Sequence, residues 1–382
     1  MTRALIPLAL AALAASACPP PKLGDPLKGL TTEQRDQFNR GRRVFDSVFT
    51  PATGLGPLFN ADACGECHED PVSGGAGDEV ELHVSAFRPE IPICDPLADK
   101  GGPVIQQRVT PALKAALGID AEPVPAEATG RAARTSPDVF GFGLLDAVTD
   151  ATLLALADPD DQNGDGISGR VNRFFDGRIG RFGRKALVPT LREFNAGAFQ
   201  IEQGVTIAAI PDEGTVGGQP IPPGVDPLPE PELRQREVDL TDAFVRFLAP
   251  PAPKTISGAA KDGQRLFGEI GCASCHVPTL RTGNHPVKAL SGQKVSAYTD
   301  LLLHDMGAER ADICLALATP SEFRTEPLMG LRHAERFLHD GAAATVEQAI
   351  ELHGGESAAS RDRFKGLSAS QRAAVVAFLK AL

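Results

Sequence analysis

The spacing of apolar residues along the chain predicts amphipathic helices joined by irregular segments. Apolar side chains recur at helical spacing over Thr31–Phe49, where a threonine supplies the N-cap, and again over Leu144–Ala157. A third helix is predicted over Arg234–Leu248, and the proline run at residues 249–253 ends it. Residues 71–137 are rich in Gly and Pro and have weak periodicity, so we expect loops and short elements there. No strand-rich region stands out, and a mainly α fold is therefore expected.

The order of these elements repeats after the proline run, which predicts two domains. In the second half, a helix over Ser257–Ile270 precedes a Cys-x-x-Cys-His motif, irregular chain and a closing helix over Ser368–Leu382. The first half has helix, motif, loops and helix in the same order. We expect domains at residues 31–253 and 254–382, the first with a long loop-rich insertion. The apolar face of the closing helix is predicted at Ala373, Val376, Ala377, Leu379 and Leu382.

Each half contains one short motif that carries chemistry. The two motifs are Cys64-Gly-Glu-Cys67-His68 and Cys272-Ala-Ser-Cys275-His276. This pattern attaches haem c, because the two thiols add to the haem vinyl groups and the adjacent histidine binds the iron from one face. A thioredoxin-like redox pair would need a βαβ context, and a zinc site would need further paired ligands, and the sequence contains neither. The motifs therefore predict two covalently bound haem c groups in two cytochrome c-like domains.

One further histidine is well placed to bind an iron from the opposite face. Residues 345–348 form a capping box that opens a short helix, and the Gly-Gly pair at residues 354–355 ends it. His353 falls at helical spacing from Val346 and Ile350, so it lies on the apolar face of that helix. A histidine in such a position is more often a core residue than a ligand. In a haem domain with few competing ligands, we interpret His353 as an iron ligand.

Other histidines have open alternatives. His304 either binds iron or hydrogen-bonds a haem propionate or a neighbouring loop, and we favour the second interpretation; His339 is treated in the same way. His83 follows His68 by fifteen residues across a Gly-rich loop, so it could reach the distal face of the first haem. These assignments depend on distances that the sequence does not contain.

An acidic loop in the insertion has the composition of a calcium site. Calcium prefers six to eight oxygen ligands, and a Gly-rich turn supplies them at close spacing from Asp158, Asp160, Asp161, Asn163 and Asp165. The loop departs from an EF-hand, because position twelve counted from Asp161 is Asn172 rather than Glu. A solvated acidic loop without metal remains the alternative.

Charge and the N-terminus limit the function classes. The net charge of -11, without any Lys/Arg run, argues against binding to nucleic acid or to anionic membranes. Residues 1–17 have the basic start, short apolar stretch and small-residue end of a secretory signal peptide. Cys18 follows directly and resembles the lipidated cysteine of a bacterial lipoprotein, with residues 18–30 as a tether. We therefore expect a periplasmic protein that contacts the membrane only through this lipid, or that is soluble after plain cleavage.

Two cysteines remain once the signal and the two motifs are counted. Because an oxidising compartment favours disulfides, Cys94 and Cys314 are predicted to form one, which would join the two halves of the chain. Two separate buried thiols are the alternative.

The motifs together resemble those of the bacterial di-haem oxidoreductases, peroxidase-like proteins related to the di-haem cytochrome c peroxidases. The resemblance runs from about Asn39 to the C-terminus. It is carried by Gly56-Pro-Leu-Phe-Asn60, Gly141-Phe-Gly-Leu-Leu-Asp146, Ala157-Asp-Pro-Asp-Asp161, Asp165-Gly-Ile-Ser-Gly169, Gly180-Arg-Phe-Gly183, residues 298–307, Phe323-Arg-Thr325, Leu338-His-Asp-Gly341 and His353-Gly-Gly-Glu356.

This resemblance implies roles for individual residues. In the peroxidases, the second haem takes a distal Met or Tyr fourteen residues after the histidine of a His-x-Gly turn, and counting from His339 reaches His353. Bis-histidine ligation is thus implied for the second haem, with a lower potential than Met ligation gives. Their first haem reacts with peroxide, helped by an acid whose loose counterpart here is Glu202. Their displaceable distal histidine falls close to His83.

One departure from the family bears on function. Relatives usually have Trp after Gly-Arg-Phe-Gly, where this chain has Arg184, and the chain contains no Trp. Radical hopping between the haems is therefore in doubt. We expect a di-haem c oxidoreductase in which the first haem reacts with hydrogen peroxide or another small oxidant and the second exchanges electrons with a partner protein. A pure electron-transfer cytochrome and a haem-based redox sensor are the alternatives.

Overall fold

The computed structural model describes residues 21–91 and 93–382, and several of its helices begin at a capping side chain. Thr31 and Ser368 form capping boxes with Gln34 and Gln371. The predicted signal peptide and Cys18 lie outside the described residues. Within them, the helices are α1 (Thr32–Phe45), α2 (Cys64–Cys67), α3 (Pro111–Leu117), α4 (Phe142–Asp146), α5 (Asp150–Leu156), α6 (Leu191–Gln203), α7 (Gln235–Phe247), α8 (Ala259–Glu269), α9 (Val346–Glu351), α10 (Ala358–Gly366) and α11 (Ala369–Leu379).

Strands are more frequent than the sequence pattern predicts. They are β1 (Leu58–Phe59), β2 (Val80–Arg88), β3 (Ile93–Asp95), β4 (Val104–Ile105), β5 (Arg108–Val109), β6 (Gly130–Thr135), β7 (Thr215–Val216), β8 (Gln219–Pro220), β9 (Leu280–Arg281), β10 (Lys294–Val295), β11 (Leu303–Asp305) and β12 (Glu322–Arg324). Strand β2 is central to a sheet in which it pairs antiparallel with β3, β4 and β6. The expectation of a mainly α fold is therefore only partly right, because the insertion contains this sheet.

The alternation that marks β2 was available in the sequence. Apolar residues occupy every second position at Val80, Leu82, Val84 and Ala86, the spacing of a strand with one covered face. Val84 is fully buried, while the ends of the strand are exposed. The Gly and Pro residues around it conceal this short signal in a window of helical length.

The helix predicted over Leu144–Ala157 is two helices, α4 and α5. The carbonyl groups of Asp146 and Val148 accept hydrogen bonds from the guanidinium of Arg181 instead of continuing the helix. Thr149 then caps α5 by accepting from the backbone N–H of Thr152. The break is a tertiary effect, since Arg181 is distant in sequence.

Helix α6 was missed by the periodicity but has clear end signals. Thr190 accepts from the backbone N–H of Glu193 at its start, and Gly204 ends it with a φ of 66°. This helix matters for function because its last turn contains Glu202.

The two halves repeat one packing device. Helix α1 crosses α7 at Gly41, where a Cβ would overlap the carbonyl oxygen of Leu240. Helix α8 crosses α11 at Gly263, where a Cβ would overlap the carbonyl oxygen of Ala374. In each half, the helix before the motif thus meets the closing helix at backbone contact.

The hydrophobic cores do not follow the predicted domain boundary at residues 249–253. The largest core joins residues from both predicted domains: Phe38, Phe45, Phe140, Phe244 and Leu248 with Leu280, Leu290, Val295, Leu301 and Met329. A second core belongs to the C-terminal part and contains Leu266, Phe267, Ile270, Tyr298, Val346, Phe364, Val375 and Phe378. Cooperative unfolding is expected to involve both halves, because one core holds them together.

Two further expectations need correction. The part of the predicted tether that is described packs against the protein, with Leu27 and Leu30 buried and the Leu27 N–H bonded to the Phe247 carbonyl. The closing helix buries Ala374, Val375 and Phe378 rather than Ala373 and Ala377. Its sequence is apolar all round, so periodicity could not choose the face. Among the described residues, no helix is long and apolar enough to cross a membrane.

Candidate functional site

The second motif lies at the end of α8, where Cys272 begins a 3-10 turn and His276 follows it. The thiols of Cys272 and Cys275 are free, and so are those of Cys64 and Cys67, whereas Cys94 and Cys314 form a disulfide. Free, close-spaced thiols are what attachment to two haem vinyl groups requires. The prediction of a disulfide between Cys94 and Cys314 is confirmed.

His276 and His353 lie close together in the same cavity. Their ring centres are 6.5 Å apart. The Nδ1–H of His276 donates to the Tyr298 carbonyl at 2.9 Å, and the Nδ1–H of His353 donates to the Ala349 carbonyl at 2.7 Å. Each Nε2 is therefore unprotonated and able to bind metal. Burial lowers the pKa of both imidazoles, that of His276 to about 4, so both are neutral at pH 7.

This separation fits one metal ion between the two rings. Metal–imidazole bonds of about 2 Å, with about 1 Å from each nitrogen to its ring centre, put two opposed rings about 6 Å apart. The residues around Cys272 thus fit a haem c with two histidine ligands. The geometry supports the prediction that His353 is an iron ligand.

His304 is held in a different role. Its Nε2 lies 2.8 Å from an Asp300 oxygen and its Nδ1 lies 3.0 Å from a Glu356 oxygen. Burial by itself would lower the pKa of His304, but the hydrogen bonds of Asp300, Cys275 and Glu356 raise it to about 12. A histidine protonated on both nitrogens cannot bind iron, so the hydrogen-bonding alternative is favoured.

The Asp300–His304–Glu356 group also orders the chain beside the second motif. The Ser168 hydroxyl and backbone N–H both donate to Glu356. Gly169 packs so closely that a Cβ would lie 2.8 Å from the His304 ring. The segment after α9, the stretch that contains His304 and the acidic loop of the insertion are joined in this way.

The side chain of His339 packs against its neighbours. Its ring stacks on Phe323 with centres 4.2 Å apart, and its Nε2 lies 3.8 Å from an Asp312 oxygen. Burial lowers the pKa of His339 to about 4. This arrangement favours a structural role over iron ligation.

A cavity of about 280 Å³ contains the second motif and extends toward the first. Its walls include Cys272, Cys275, His276 and His353 from one side and Ser136 and Pro137 from the other. The Pro137 carbonyl accepts the Nδ1–H of His68 at 2.9 Å, so the cavity approaches the first motif. Arg184, Arg324 and Glu326 also line this cavity.

The first motif lies on α2, with His68 immediately after it. The Nδ1–H of His68 is bonded to the Pro137 and Gly75 carbonyls, which leaves Nε2 free. Burial lowers the pKa of this imidazole, so it is neutral and able to bind iron. Among the described residues, the aromatic neighbour of His68 is Phe45, with ring centres 6.1 Å apart, and no second histidine ring faces it. The two motifs are therefore unequal.

Carboxyl groups take the place of a second histidine near the first motif. The Glu202 carbonyl accepts the backbone N–H groups of Asn60 and Ala61, and the Asn60 side chain donates to the Glu202 carboxyl at 3.1 Å. The next residue, Gln203, contacts the Cys64 sulfur at 3.4 Å. Burial, followed by the charge of Glu81, raises the pKa of Glu202 well above its usual value. Glu202 is thus a partly buried acid beside the first Cys-x-x-Cys-His motif.

Glu81 connects Glu202 to His83. The carboxyl groups of Glu81 and Glu202 share a hydrogen bond, and His83 Nε2 lies 3.0 Å from a Glu81 oxygen. Burial acts to raise the pKa of Glu81, but His83 outweighs it and holds that pKa below its usual value. Sequence reasoning missed Glu81 and Asn60. The alternation in β2 places positions 81 and 83 on one face, which was the available signal.

The predicted calcium loop does not bring its carboxylates together. Among the described residues, the group of acidic side chains that converges within 4.8 Å consists of Glu213, Asp226, Glu230 and Glu232, which the sequence did not indicate. The oxygens of Asp158, Asp161 and Asp165 instead accept backbone N–H groups within their own loop. Asp160 and Asn163 belong to the same loop. The arrangement favours the alternative of a solvated loop.

Comparison with known proteins identifies the family. Residues 127–382, more than half of the chain, match the family described as "Di-haem oxidoreductase, putative peroxidase". The chain belongs to this family.

Two characterised relatives are cytochrome c peroxidases. The chain is 29% identical over 154 residues to cytochrome-c peroxidase IdrP2 of Denitromonas iodatirespirans, a match that spans 33% of this chain and 40% of the relative. It is 32% identical over 94 residues to cytochrome c551 peroxidase of Nitrosomonas europaea. This match spans 24% of this chain and 26% of the relative. The chain thus matches less than half the length of either relative.

Similar solved structures are distant. A MauG-like protein associated with microbial copper homeostasis has a TM-score of 0.41 at 16% identity, with 96% of this chain and 95% of that chain covered. A variant of the di-haem peroxidase BthA of Burkholderia thailandensis has a TM-score of 0.41 at 15% identity, with 91% of this chain and 85% of that chain covered. Likeness at this level does not bear on function.

Proposed function

We propose that this protein is a di-haem c oxidoreductase that reduces hydrogen peroxide at the Cys64–His68 centre and receives electrons at the Cys272–His276 centre. The observation that carries the proposal is the inequality of the two centres. The second has two neutral imidazoles, His276 and His353, at the spacing of opposed iron ligands. The first has one such imidazole, His68, and a partly buried acid, Glu202.

A haem c, when bound, supplies an iron that cycles between oxidation states and, where one axial position is free, reacts with small oxidants. At the second centre, the chain holds His276 and His353 rigidly through their Nδ1–H bonds to backbone carbonyls. A haem bound here would be held by these two histidines, and a centre with two strong ligands suits single-electron exchange with a donor protein. Because the two histidines are already fixed in place, the side chains need to move little when the centre is oxidised or reduced.

At the first centre, Glu202 supplies a proton. Cleavage of the O–O bond of hydrogen peroxide consumes two electrons and two protons and yields two waters. The electrons come from a one-electron donor protein, and the carboxyl of Glu202 delivers a proton to the departing oxygen, because burial raises its pKa and so favours its protonated form. Glu81 and His83 form the chain through which Glu202 recovers its proton.

The compartment is part of the same proposal. Haem c attachment and the disulfide both suit an exported protein, as does the signal-like segment at residues 1–17. We propose that the protein works in the periplasm, attached to a membrane through a lipid on Cys18. A redox protein with a basic surface would suit the net charge of -11.

Spectroscopy of the purified protein tests this proposal. Absorption and EPR spectra are recorded on the oxidised and half-reduced protein before and after addition of hydrogen peroxide. We expect one low-spin haem that does not react and one haem that becomes high-spin on half-reduction and consumes peroxide. If both haems stay low-spin and unreactive, the peroxidase proposal is wrong and a pure electron carrier remains.

One observation favours that alternative. Arg184 occupies the position at which relatives have Trp, and it is engaged by Glu326 at 2.8 Å. A guanidinium does not support radical hopping as an indole does. Stopped-flow reduction of peroxide by the half-reduced protein separates the two functions, since an electron carrier would show no peroxide-dependent oxidation of either haem.

A further inference from the structure

Arg324 is a buried cation whose hydrogen-bonding capacity is largely unused. It lies in β12 and is 6% exposed. One guanidinium nitrogen donates to Glu326 at 2.7 Å. Within residues 21–91 and 93–382, its Nε and Nη1 are buried and have no hydrogen-bond partner. Because a buried unpaired donor is destabilising, and more so when it is charged, an acceptor from outside the chain is indicated.

The free side of Arg324 belongs to the cavity of the second motif. Arg324 lines the cavity together with Cys272, His276 and His353. Arg184 lies beside it, since the Arg184 carbonyl accepts the backbone N–H of Arg324 at 2.9 Å.

The local charge is positive. Arg184 and Arg324 are both paired with the same carboxylate, Glu326, at 2.8 and 2.7 Å. Asp138 lines the same cavity, but burial and the charge of Glu326 raise its pKa to about 7, so it balances the second guanidinium only in part. An anionic group in the cavity would complete the balance.

We propose that Arg324, with Arg184 beside it, binds a propionate carboxylate of the haem attached at Cys272 and Cys275. This inference rests on the proposed function, which puts a haem in this cavity. A guanidinium donates charge-assisted hydrogen bonds to a carboxylate, and Arg324 has two unpaired donors for such bonds, Nε and Nη1. An Arg–Glu–Arg group therefore lines the cavity of the second motif, and its positive charge raises the reduction potential of the second haem.

The test uses the full-length holoprotein and the variants Arg324→Gln and Arg324→Lys. The readout is the propionate bending band in the resonance Raman spectrum, whose frequency follows the hydrogen bonding of the carboxylate. We expect Arg324→Gln to shift this band and to move the midpoint potential of the second haem to more negative values. Arg324→Lys retains the charge but not the guanidinium donors Nε and Nη1, so the band shifts while the potential stays near that of the natural protein.

Arg310→Gln is the matched control. Arg310 lines the same cavity, but its guanidinium is paired with Asp340 at 3.5 Å. The inference is wrong if Arg324→Gln leaves the propionate band unchanged, or if Arg310→Gln moves band and potential equally. If Arg324→Gln does not retain haem, the propionate band of Arg324→Lys is used instead: a shifted band supports the inference and an unchanged band contradicts it. Haem content measured as the pyridine haemochrome separates this inference from the proposed function, which fails if the natural protein carries no haem c.

Discussion

At the scale of single residues, the two centres differ in what surrounds chemically similar histidines. His68, His276 and His353 each donate Nδ1–H to a backbone carbonyl, and so each leaves Nε2 available. His304 has carboxylates at both nitrogens and cannot bind metal. The difference between a ligand and a positioning residue is thus a difference in hydrogen-bond partners.

The ligand assignment of His353 predicts a spectroscopic change. In His353→Ala, the second haem should become high-spin or change its midpoint potential, because one of two strong axial ligands is removed. EPR and a redox titration of the purified protein measure this. His339→Ala is the control, since its ring lines the same cavity but stacks on Phe323. Unchanged spectra of His353→Ala would reject the assignment.

The acid role of Glu202 predicts a loss of rate. Glu202→Gln keeps the shape and the contact with Asn60 but removes the proton, so kcat/KM for hydrogen peroxide should fall by about 10²–10⁴-fold. At pH values above the raised pKa of Glu202, the natural protein is itself deprotonated at this residue, so kcat/KM of the variant and of the natural protein should become similar. Glu213→Gln, at another partly buried acid of raised pKa, should leave the activity unchanged. Equal activity of Glu202→Gln and the natural protein would exclude this role.

At the scale of elements, helix pairs hold the motifs in position. Helices α1 and α7 in the first half, and α8 and α11 in the second, meet at a glycine whose Cβ position is taken by a backbone carbonyl. The second motif begins shortly after α8, whereas the first follows α1 after a longer segment that contains β1. Backbone contact between helices therefore fixes the start of each segment that leads to a Cys-x-x-Cys-His motif.

Substitutions on α8 test this geometry. Gly263→Ala must separate α8 from α11 and should lower the free energy of unfolding by about 1–3 kcal/mol, as overpacking does. Gly268→Ala lies on the same helix with no atom within 4 Å of the new Cβ, and should raise stability by about 0.5–1 kcal/mol. Chemical denaturation measures both. Similar effects of the two substitutions would show that the crossing is not tight.

At the scale of the whole molecule, the two predicted domains are joined by a common core and a disulfide. The Cys94–Cys314 bond links β3 of the insertion to the C-terminal half over a sequence separation of 220 residues. Cys314 is fully buried and its backbone N–H donates to Ser85 in β2. The insertion is thereby held against the second half.

Removal of this disulfide predicts a loss of stability. The double variant Cys94→Ala/Cys314→Ala should be less stable by about 2–4 kcal/mol, because the unfolded chain gains conformational freedom. Calorimetry with and without reductant measures the change, and reductant should have no effect on the double variant. Mass spectrometry that finds both cysteines as free thiols in the natural protein would contradict the assignment.

The cluster of four acidic side chains at Glu213, Asp226, Glu230 and Glu232 predicts a pH dependence of stability. Burial, followed by the hydrogen bond to Asp226, raises the pKa of Glu213 from 4.5 to about 9. A raised carboxyl pKa contributes stability that is complete below pH 4.5 and is lost as pH rises toward 9. Glu213→Gln should therefore have a flatter curve of Tm against pH over this range. Parallel curves for the two proteins would contradict this expectation.

Local sequence determined the elements and attachments that depend on near neighbours. Both Cys-x-x-Cys-His motifs, the capped helices α1, α9 and α11, the helices α7 and α8, and the placement of His353 on an apolar face follow from residues a few positions apart. The disulfide followed from counting cysteines. Capping and periodicity act within one or two turns, which is why they could be recognised without a fold.

Tertiary structure decided what depends on residues far apart in the chain. It broke the helix at Ala147 through Arg181, brought Glu81 and Glu202 together beside the first motif, and gave His304 two carboxylate partners. It also placed residues of both predicted domains in one shared core, beside a second core of the C-terminal part. Burial and long-range hydrogen bonds set these outcomes, and they depend on distances that arise only when the chain has folded.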